Sequence, residues 1–178
     1  MYANIYGDFV KGRDLSNYPL KIQKGIRLHR KIDDYIDHHP VVVELIHHLY
    51  KSLPKVAGIA VDLYFDHLLA RQWDSYSNIP LENFIQKFEE HNVNRADYSK
   101  EEFWVVIEKM KEGEWLKHTS SEYGLTKSSN GVARMISFPN VLHNAPSVFK
   151  ENEDIIKLTF KEFMLDAIPF FENYFKEN

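Results

Sequence analysis

Histidine and aspartate stand one helical turn apart in the stretch GIRLHRKIDDYIDHH, where apolar residues are expected. Steps of three and four residues link Ile22, Ile26, His29, Asp33 and Ile36, a spacing typical of one buried helical face. Carboxylate and imidazole groups on such a face need hydrogen bonds, an opposite charge or a metal ion, because an unpaired buried charge is costly. The pattern therefore predicts a functional cluster on an otherwise apolar helix.

A second predicted helix carries acidic and histidine residues in the same way. Asp62 and Asp66 fall on the apolar face that contains Ile59, and His67 falls on the neighbouring apolar face. Asp8, in GDFVKG near the end of a short helix, is a third source of carboxylate. We expect the polar groups of the two long helices to face each other within a helical bundle.

Metal chemistry is an economical explanation for these residues. Imidazole and carboxylate together suit Mn, Fe, Mg or Zn ions, and bundle cores often hold such sites. Side chains four residues apart share a helical face, so His29 with Asp33, and Asp62 with Asp66, could bind one ion or adjacent ions. A bound metal lowers the pKa of its water and clamps phosphate oxygens, and the favoured reaction is hydrolysis of a phosphoester.

Each residue also has a structural interpretation that the sequence leaves open. His29 could form a hydrogen bond between helices, and Asp62 could be a structural carboxylate. The Asp66–His67 doublet arises often by chance, and Asp8 alone could be a charge at a helix end. We interpret the remaining histidines as surface or core residues, because none has an acidic partner at a compelling spacing.

Composition restricts the class of protein. The 178 residues are 44% hydrophobic, which predicts a single domain with a sizeable core. The absence of cysteine excludes disulfides and thiolate zinc sites. A net charge of −4 gives no reason to expect a nucleic-acid partner. With no leader sequence and no apolar run of membrane-spanning length, we expect a cytoplasmic protein with no membrane partner.

Helical periodicity runs through almost the whole chain. Prolines 19, 40, 54 and 80 stand where first helical turns are expected. A short helix is predicted over residues 2–12, and the last helix from about Pro146, with a kink at Pro169. We find no repeat and no sustained strand alternation. The fold class predicted is therefore an all-α, single-domain helical bundle.

Three motifs, in order, resemble the acyl carrier protein phosphodiesterase family, also called acyl carrier protein hydrolase. They are GDFVKG, GIRLHRKIDDYIDHHP and GIAVDLYFDHLLARQW, and the later EWL, YG and GVARM are similar to the family's later helices. The resemblance covers nearly the whole chain. It implies an HD-domain-like phosphohydrolase that uses Mn²⁺, or else Mg²⁺, Fe²⁺ or another divalent metal. The implied reaction hydrolyses holo acyl carrier protein to apo carrier and free 4′-phosphopantetheine.

The resemblance also implies the site residues. The family's DFVxG aspartate falls on Asp8, and its HRxID histidine and aspartate fall on His29 and Asp33. The implied metal ligands are Asp8, His29, Asp33, Asp62, Asp66 and His67. The implied catalytic residues are Asp8, His29, Asp33 and Asp66. Family members usually begin with a segment such as NFLAHLHLA, and we expect this chain to lack that segment and its histidine ligand.

Basic residues cluster next to the first two motifs. Residues 11–31 contain one acidic residue, Asp14, and these basic ones: Lys11, Arg13, Lys21, Lys24, Arg27, Arg30 and Lys31. The asymmetry suits steering toward a small acidic carrier protein, and a solvated helix face is the structural alternative. The predicted substrate-binding residues are Lys11, Arg27, Arg30 and Arg71. Arg30 and Arg71 are expected to reach phosphate, since guanidinium matches two phosphate oxygens.

Two other functions remain open at this point. The same metal set could hydrolyse a nucleotide or another small phosphodiester, although no phosphate loop or base-stacking pattern supports that substrate. Alternatively, the chain could be a carrier-binding module without catalysis, weakened by the missing upstream segment.

Overall fold

The computed structural model describes residues 1–112 and 115–177. The α-helices, in chain order, are α1 (Tyr2–Ile5), α2 (Leu20–His38), α3 (Pro40–Leu49), α4 (Ala57–Arg71), α5 (Leu81–Glu90), α6 (Glu101–Glu112), α7 (Trp115–His118), α8 (Glu122–Met135), α9 (Ala145–Glu151) and α10 (Glu153–Glu177). Short 3-10 turns lie at Tyr6–Phe9, Trp73–Ser75, Arg95–Asp97 and Leu142–Asn144. The described ranges contain no β-strand, and the all-α prediction is confirmed.

The chain divides into two compact units, which are described separately. Unit 1 comprises Met1–Ile36 with Ser77–Lys117, and unit 2 comprises Asp37–Tyr76 with His118–Asn178. The expectations of a single domain and of an HD-like arrangement stay predictions. Within the described ranges, no helix combines the length and hydropathy that crossing a membrane requires.

Aromatic side chains form the core of unit 1. The centroid of the Tyr6 ring lies 5.1 Å from that of Tyr98 and 5.0 Å from that of Phe103, and both pairs are edge to face. Aromatic quadrupoles favour this geometry. The Tyr2 ring packs 5.2 Å from Phe88, and its hydroxyl donates to the Phe88 carbonyl at 3.3 Å. These contacts hold the first turns of the chain against α5, α6 and the residue Tyr98 between them.

The first helix is shorter than predicted. The helix expected over residues 2–12 is observed as α1 followed by the 3-10 turn, and Val10 is extended. Gly12 then has a φ of +86°, a left-handed conformation that glycine adopts without a Cβ clash. Within the 3-10 turn, Gly7 packs against the His29 side chain of α2.

Unit 2 contains helices α3, α4, α8, α9 and α10. Helix α3 packs against α4 and α10, α4 also packs against α8 and α10, and α8 packs against α9. The face of α4 that carries Ala57, Ala60, Val61, Tyr64 and Leu68 is buried in these contacts. The Tyr64 hydroxyl donates to the Ala145 carbonyl at 2.7 Å, so this buried phenol keeps a hydrogen bond.

Two predicted helix boundaries are wrong. Helix α4 begins at Ala57 rather than Pro54, because the preceding residues form turns in which Lys55 has a φ of 67°. The last predicted helix is two helices, α9 and α10, separated at Asn152, whose side-chain amide donates to the Val148 carbonyl. Pro169 lies inside α10 as expected.

Candidate active site

Unit 1 brings together three of the predicted site residues. His29 lies in the middle of α2, Asp33 follows one turn later, and Asp8 comes from the 3-10 turn. His29 Nε2 lies 3.1 Å from Asp8 Oδ1 and 3.1 Å from Asp33 Oδ2. One imidazole nitrogen therefore faces two carboxylates, one local in sequence and one twenty-one residues upstream.

Gly7 makes this approach possible, and residue spacing alone does not indicate its role. Its backbone packs directly on the His29 ring, so that a Cβ at position 7 would overlap the ring carbons of His29. Any larger residue would push the imidazole away from Asp8 or open the turn. The GDF motif offers a sequence signal for this role, because its glycine immediately precedes the acidic residue.

A second glycine and an arginine complete the support of the turn. Gly25 of α2 packs against Ala3 of α1 so closely that a Cβ would overlap the Ala3 backbone. The Arg30 guanidinium donates from Nη2 to the Val10 carbonyl at 2.9 Å. The turn that carries Asp8 is therefore held to α2 on both sides of the acidic residue.

Electrostatics favour the protonated form of His29. The hydrogen bond to Asp8 is the largest cause of its raised pKa, the negative charges of Asp8 and Asp33 add to it, and desolvation and Arg30 oppose it. The His29 side chain is 15% exposed, whereas Asp8 and Asp33 are 65% and 53% exposed. The expectation that Asp33 lies on a buried face is wrong, because the fully buried part of this α2 stripe ends at Ile26.

The donor types of this cluster fit a divalent metal ion. Imidazole nitrogen and carboxylate oxygen are ligands of Mn²⁺, Fe²⁺ and Zn²⁺, and neighbouring ligands on one such ion lie about 3 Å apart. The two separations at His29 Nε2 match that spacing. Over residues 1–112 and 115–177, no three histidine or acidic side chains converge on a common point for an ion. The fit is therefore one of donor type and pairwise spacing.

The remaining predicted ligands belong to α4 in unit 2. Asp62 and Asp66 are exposed, and the prediction that they interrupt a buried face is wrong. The reason is rotational: the core of unit 2 covers Ala60, Val61 and Tyr64, and this leaves the stripe of the two aspartates on the accessible side. Their role as metal ligands stays a prediction.

Asp66 has an unusual carboxyl group despite its accessibility. Desolvation by the surrounding protein raises its pKa from 3.8 to about 6. A carboxyl with such a pKa can change its protonation state close to neutral pH.

His67 is buried, as its apolar stripe predicted, and only 2% of the residue is exposed. Its Nδ1 lies 2.7 Å from the Thr119 carbonyl, and its ring meets Phe149 edge to face at 5.2 Å. Burial lowers its pKa, with the Thr119 bond opposing. The sequence pattern gave no sign of the carbonyl partner, which lies 52 residues away.

The predicted substrate-binding residues occupy different surroundings. Lys11 and Arg27 are exposed in unit 1, and Arg27 donates to Gln23 Oε1 at 3.0 Å. Arg30 is part-buried on Val10. Arg71, in unit 2, pairs with Glu153 at 3.3 Å. None of these contacts tests a role in substrate binding.

Comparison with known proteins gives one consistent family. A model described as acyl carrier protein phosphodiesterase matches residues 1–167. Relatives of that name include a protein of Photorhabdus laumondii, 36% identical over 74 residues, which are 42% of this chain and 37% of that protein. A protein of Yersinia pestis is 36% identical over 87 residues, 48% of this chain and 45% of that protein.

A third relative is matched over a longer stretch. The Klebsiella pneumoniae acyl carrier protein phosphodiesterase is 29% identical over 132 residues, 74% of this chain and 68% of that protein. By contrast, the matched stretch is less than half of the length of the Photorhabdus laumondii protein and of the Yersinia pestis protein. No solved structure matches the chain significantly. Because the family model covers residues 1–167, the chain belongs to the acyl carrier protein phosphodiesterase family.

Proposed function

We propose that this chain hydrolyses the phosphodiester between 4′-phosphopantetheine and the serine of holo acyl carrier protein. The products are apo carrier and free 4′-phosphopantetheine. Membership of the family supports the substrate, since its curated relatives carry the name of that activity. The observation that carries the proposal is the Asp8–His29–Asp33 cluster, which two motifs from separate parts of the sequence assemble.

The proposal includes a divalent metal ion, with Mn²⁺ preferred, bound by Asp8, His29 and Asp33. When bound, such an ion supplies a Lewis acid that polarises a phosphoryl oxygen and lowers the pKa of coordinated water. His29 offers Nε2 to the ion only after losing its proton. Since Asp8 raises the His29 pKa, the apparent affinity for Mn²⁺ falls as pH falls through that pKa.

The side chains have separable tasks in this proposal. Without the metal, Asp8 and Asp33 orient the His29 imidazole through its protonated Nε2. Arg30, through the Val10 carbonyl, keeps the Asp8 turn in place. A phosphate oxygen that approached Arg30 would compete with this carbonyl for the guanidinium donors.

An acidic carrier is proposed to dock on basic residues that lie in α2 and in the segment before it. Lys11, Arg13, Lys24 and Arg27 are exposed in unit 1. Exposed positive charges attract an acidic partner over a distance of about 10 Å at 0.1 M salt, and this distance shortens at higher salt. The association rate with the carrier is therefore expected to fall with ionic strength.

The deciding experiment is release of 4′-phosphopantetheine from holo carrier, followed by mass spectrometry with and without added Mn²⁺. Asp33→Asn is expected to reduce release at least tenfold. Asp34→Asn is the matched control, because Asp34 is the next residue of α2, is also exposed and pairs with Lys31 at 3.4 Å. Equal activity of both variants, or no release by the folded chain with Mn²⁺, would contradict the proposal.

The alternatives left by the sequence are outcomes of the same assay. Faster hydrolysis of a nucleotide than of holo carrier would favour an HD-like hydrolase of small phosphodiesters. Salt-sensitive carrier binding without hydrolysis would favour a binding module. The cytoplasmic location expected from the sequence stays a prediction.

A further inference from the structure

A cavity in unit 2 has no part in the proposed hydrolysis. It has a volume of about 190 Å³ and opens between α4, α8, α9 and the start of α10. Leu125, Pro146 and Phe149 form apolar parts of its wall, and His67 and Arg71 line it from α4. Pockets for drug-sized ligands hold about 300–1,000 Å³, so this one suits a smaller molecule.

His67 lines the cavity, and one of its ring nitrogens is a hydrogen-bond acceptor. Its Nδ1 is engaged by the Thr119 carbonyl at 2.7 Å, and a carbonyl accepts only from a protonated nitrogen. The neutral ring that burial favours therefore has a lone pair on Nε2. Among the residues that the structure describes, nothing forms a hydrogen bond with His67 Nε2. Nε2 is not one of the fully enclosed side-chain atoms that lack a partner, so a donor from water or from a ligand can reach it.

The carboxylates of the cavity wall are both ion-paired, and one of them has a cation partner that lies outside the wall. Lys150 pairs with Glu122 at 2.9 Å, whereas Glu153 is shared by Lys157 at 2.7 Å and Arg71 at 3.3 Å. The cavity wall itself carries two cations, Arg71 and Lys150, and two carboxylates, Glu122 and Glu153. Since Glu153 has its closer partner in Lys157, Arg71 can turn to an anion while Glu153 stays paired. The first turns of α8 and α10, which carry Glu122 and Glu153, add positive backbone potential.

We propose that this cavity binds a small organic anion, a phosphate monoester or a carboxylate, that carries a hydroxyl group on a neighbouring carbon. Arg71 binds the anionic group through its guanidinium fork. The ligand hydroxyl donates to His67 Nε2, and the ligand carbons contact Leu125 and Phe149. This assignment is independent of the proposed hydrolysis, because it uses none of the residues of the Asp8–His29–Asp33 cluster.

The test is an NMR titration of the isotope-labelled chain with four probes. sn-Glycerol 3-phosphate and glycerate each combine an anion with a hydroxyl, whereas glycerol and inorganic phosphate each lack one of these features. At least one of the first two is expected to shift the His67 ring nitrogens and the Leu125 amide saturably. Its affinity is expected to exceed that of glycerol and phosphate at least tenfold. Which of the two binds more tightly identifies the anionic group.

Two variants separate the anion contact from the hydroxyl contact. Arg71→Gln is expected to weaken binding at least tenfold. His67→Asn keeps a donor near the Thr119 carbonyl but removes the Nε2 acceptor, and it should abolish the preference over inorganic phosphate. Arg95→Gln is the control, because Arg95 is an exposed, ion-paired arginine of unit 1.

Either of two results would overturn the proposal. One is the absence of a saturable shift at His67 with both hydroxylated anions. The other is equal affinity of Arg71→Gln and Arg95→Gln for the bound probe. The Arg71 side chain is 40% exposed, so Arg71→Gln is expected to fold. It therefore tests the anion contact even if His67→Asn does not fold.

Discussion

His29 and His67 are both helical histidines that interrupt apolar stripes, yet their surroundings are opposite in charge character. His29 Nε2 faces two carboxylates at 3.1 Å, and its side chain is 15% exposed. His67 is 2% exposed, and its Nδ1 meets a neutral carbonyl at 2.7 Å. The pKa of His29 is raised, chiefly by the hydrogen bond to Asp8, and that of His67 is lowered, chiefly by burial.

The contrast shows that spacing alone does not determine what a helical histidine does. A carboxylate partner stabilises the imidazolium, whereas burial against a carbonyl selects the neutral ring with one acceptor nitrogen. His29 is therefore suited to lose its proton when a cation binds beside Asp8 and Asp33. His67 is suited to accept a hydrogen bond from a ligand. The following variants test that difference, beginning with the largest expected effect.

Gly7→Ala should destroy the His29 arrangement. The added Cβ overlaps the His29 ring, and overpacking of this kind costs about 1–3 kcal/mol. We expect that loss in the free energy of unfolding from urea titrations, together with at least a tenfold loss of carrier hydrolysis. Gly131→Ala is the control: nothing lies within 4 Å of its Cβ in α8, and alanine should stabilise that helix. Equal stability of the two variants would contradict the packing argument.

Arg30→Gln tests whether the Asp8 turn depends on its anchor. The variant loses the charged donor to the Val10 carbonyl, and we expect a loss of about 1 kcal/mol in unfolding free energy. Arg27→Gln removes an exposed bond to Gln23 and should change stability by less than about 0.5 kcal/mol. The interpretation of Arg30 as an anchor would be wrong if its variant were as stable as that of Arg27.

Asp8→Asn should lower the pKa of His29 toward its ordinary value of 6.5, and by more than Asp33→Asn does. The reason is that the bond to Asp8 is the largest cause of the raised pKa. An NMR titration of the ring protons measures both histidines in one sample. The His67 pKa should stay unchanged in both variants, and a parallel shift of His67 would point to a general loss of structure.

The pH dependence of stability should have opposite signs at the two histidines. The raised pKa of His29 contributes stability that is complete below pH 6.5 and is lost as pH rises through its folded pKa. The lowered pKa of His67 contributes stability that is complete above pH 6.5 and is lost as pH falls through its folded pKa. Urea unfolding of His29→Asn and His67→Asn against the unaltered chain, between pH 5 and 8, checks both slopes. Slopes of the same sign would contradict the contrast.

Part of the candidate site could be predicted from the sequence, and part could not. His29 and Asp33 are four residues apart, so the helix itself places them together. Asp8 had no such local relation and came from the resemblance to the family. The Gly7 contact and the Thr119 carbonyl were missed, because each depends on backbone that packs from a distant part of the chain.

The sequence by itself determined the all-α class, the family and the pairing of His29 with Asp33. Those features depend on periodicity and motif order, which neighbouring residues encode. Only the tertiary structure decided which stripe of α4 is buried, and it left Asp62 and Asp66 accessible while enclosing His67. An amphipathic pattern defines an apolar stripe, but the packing of α3, α8 and α10 around α4 determines which residues lose contact with water.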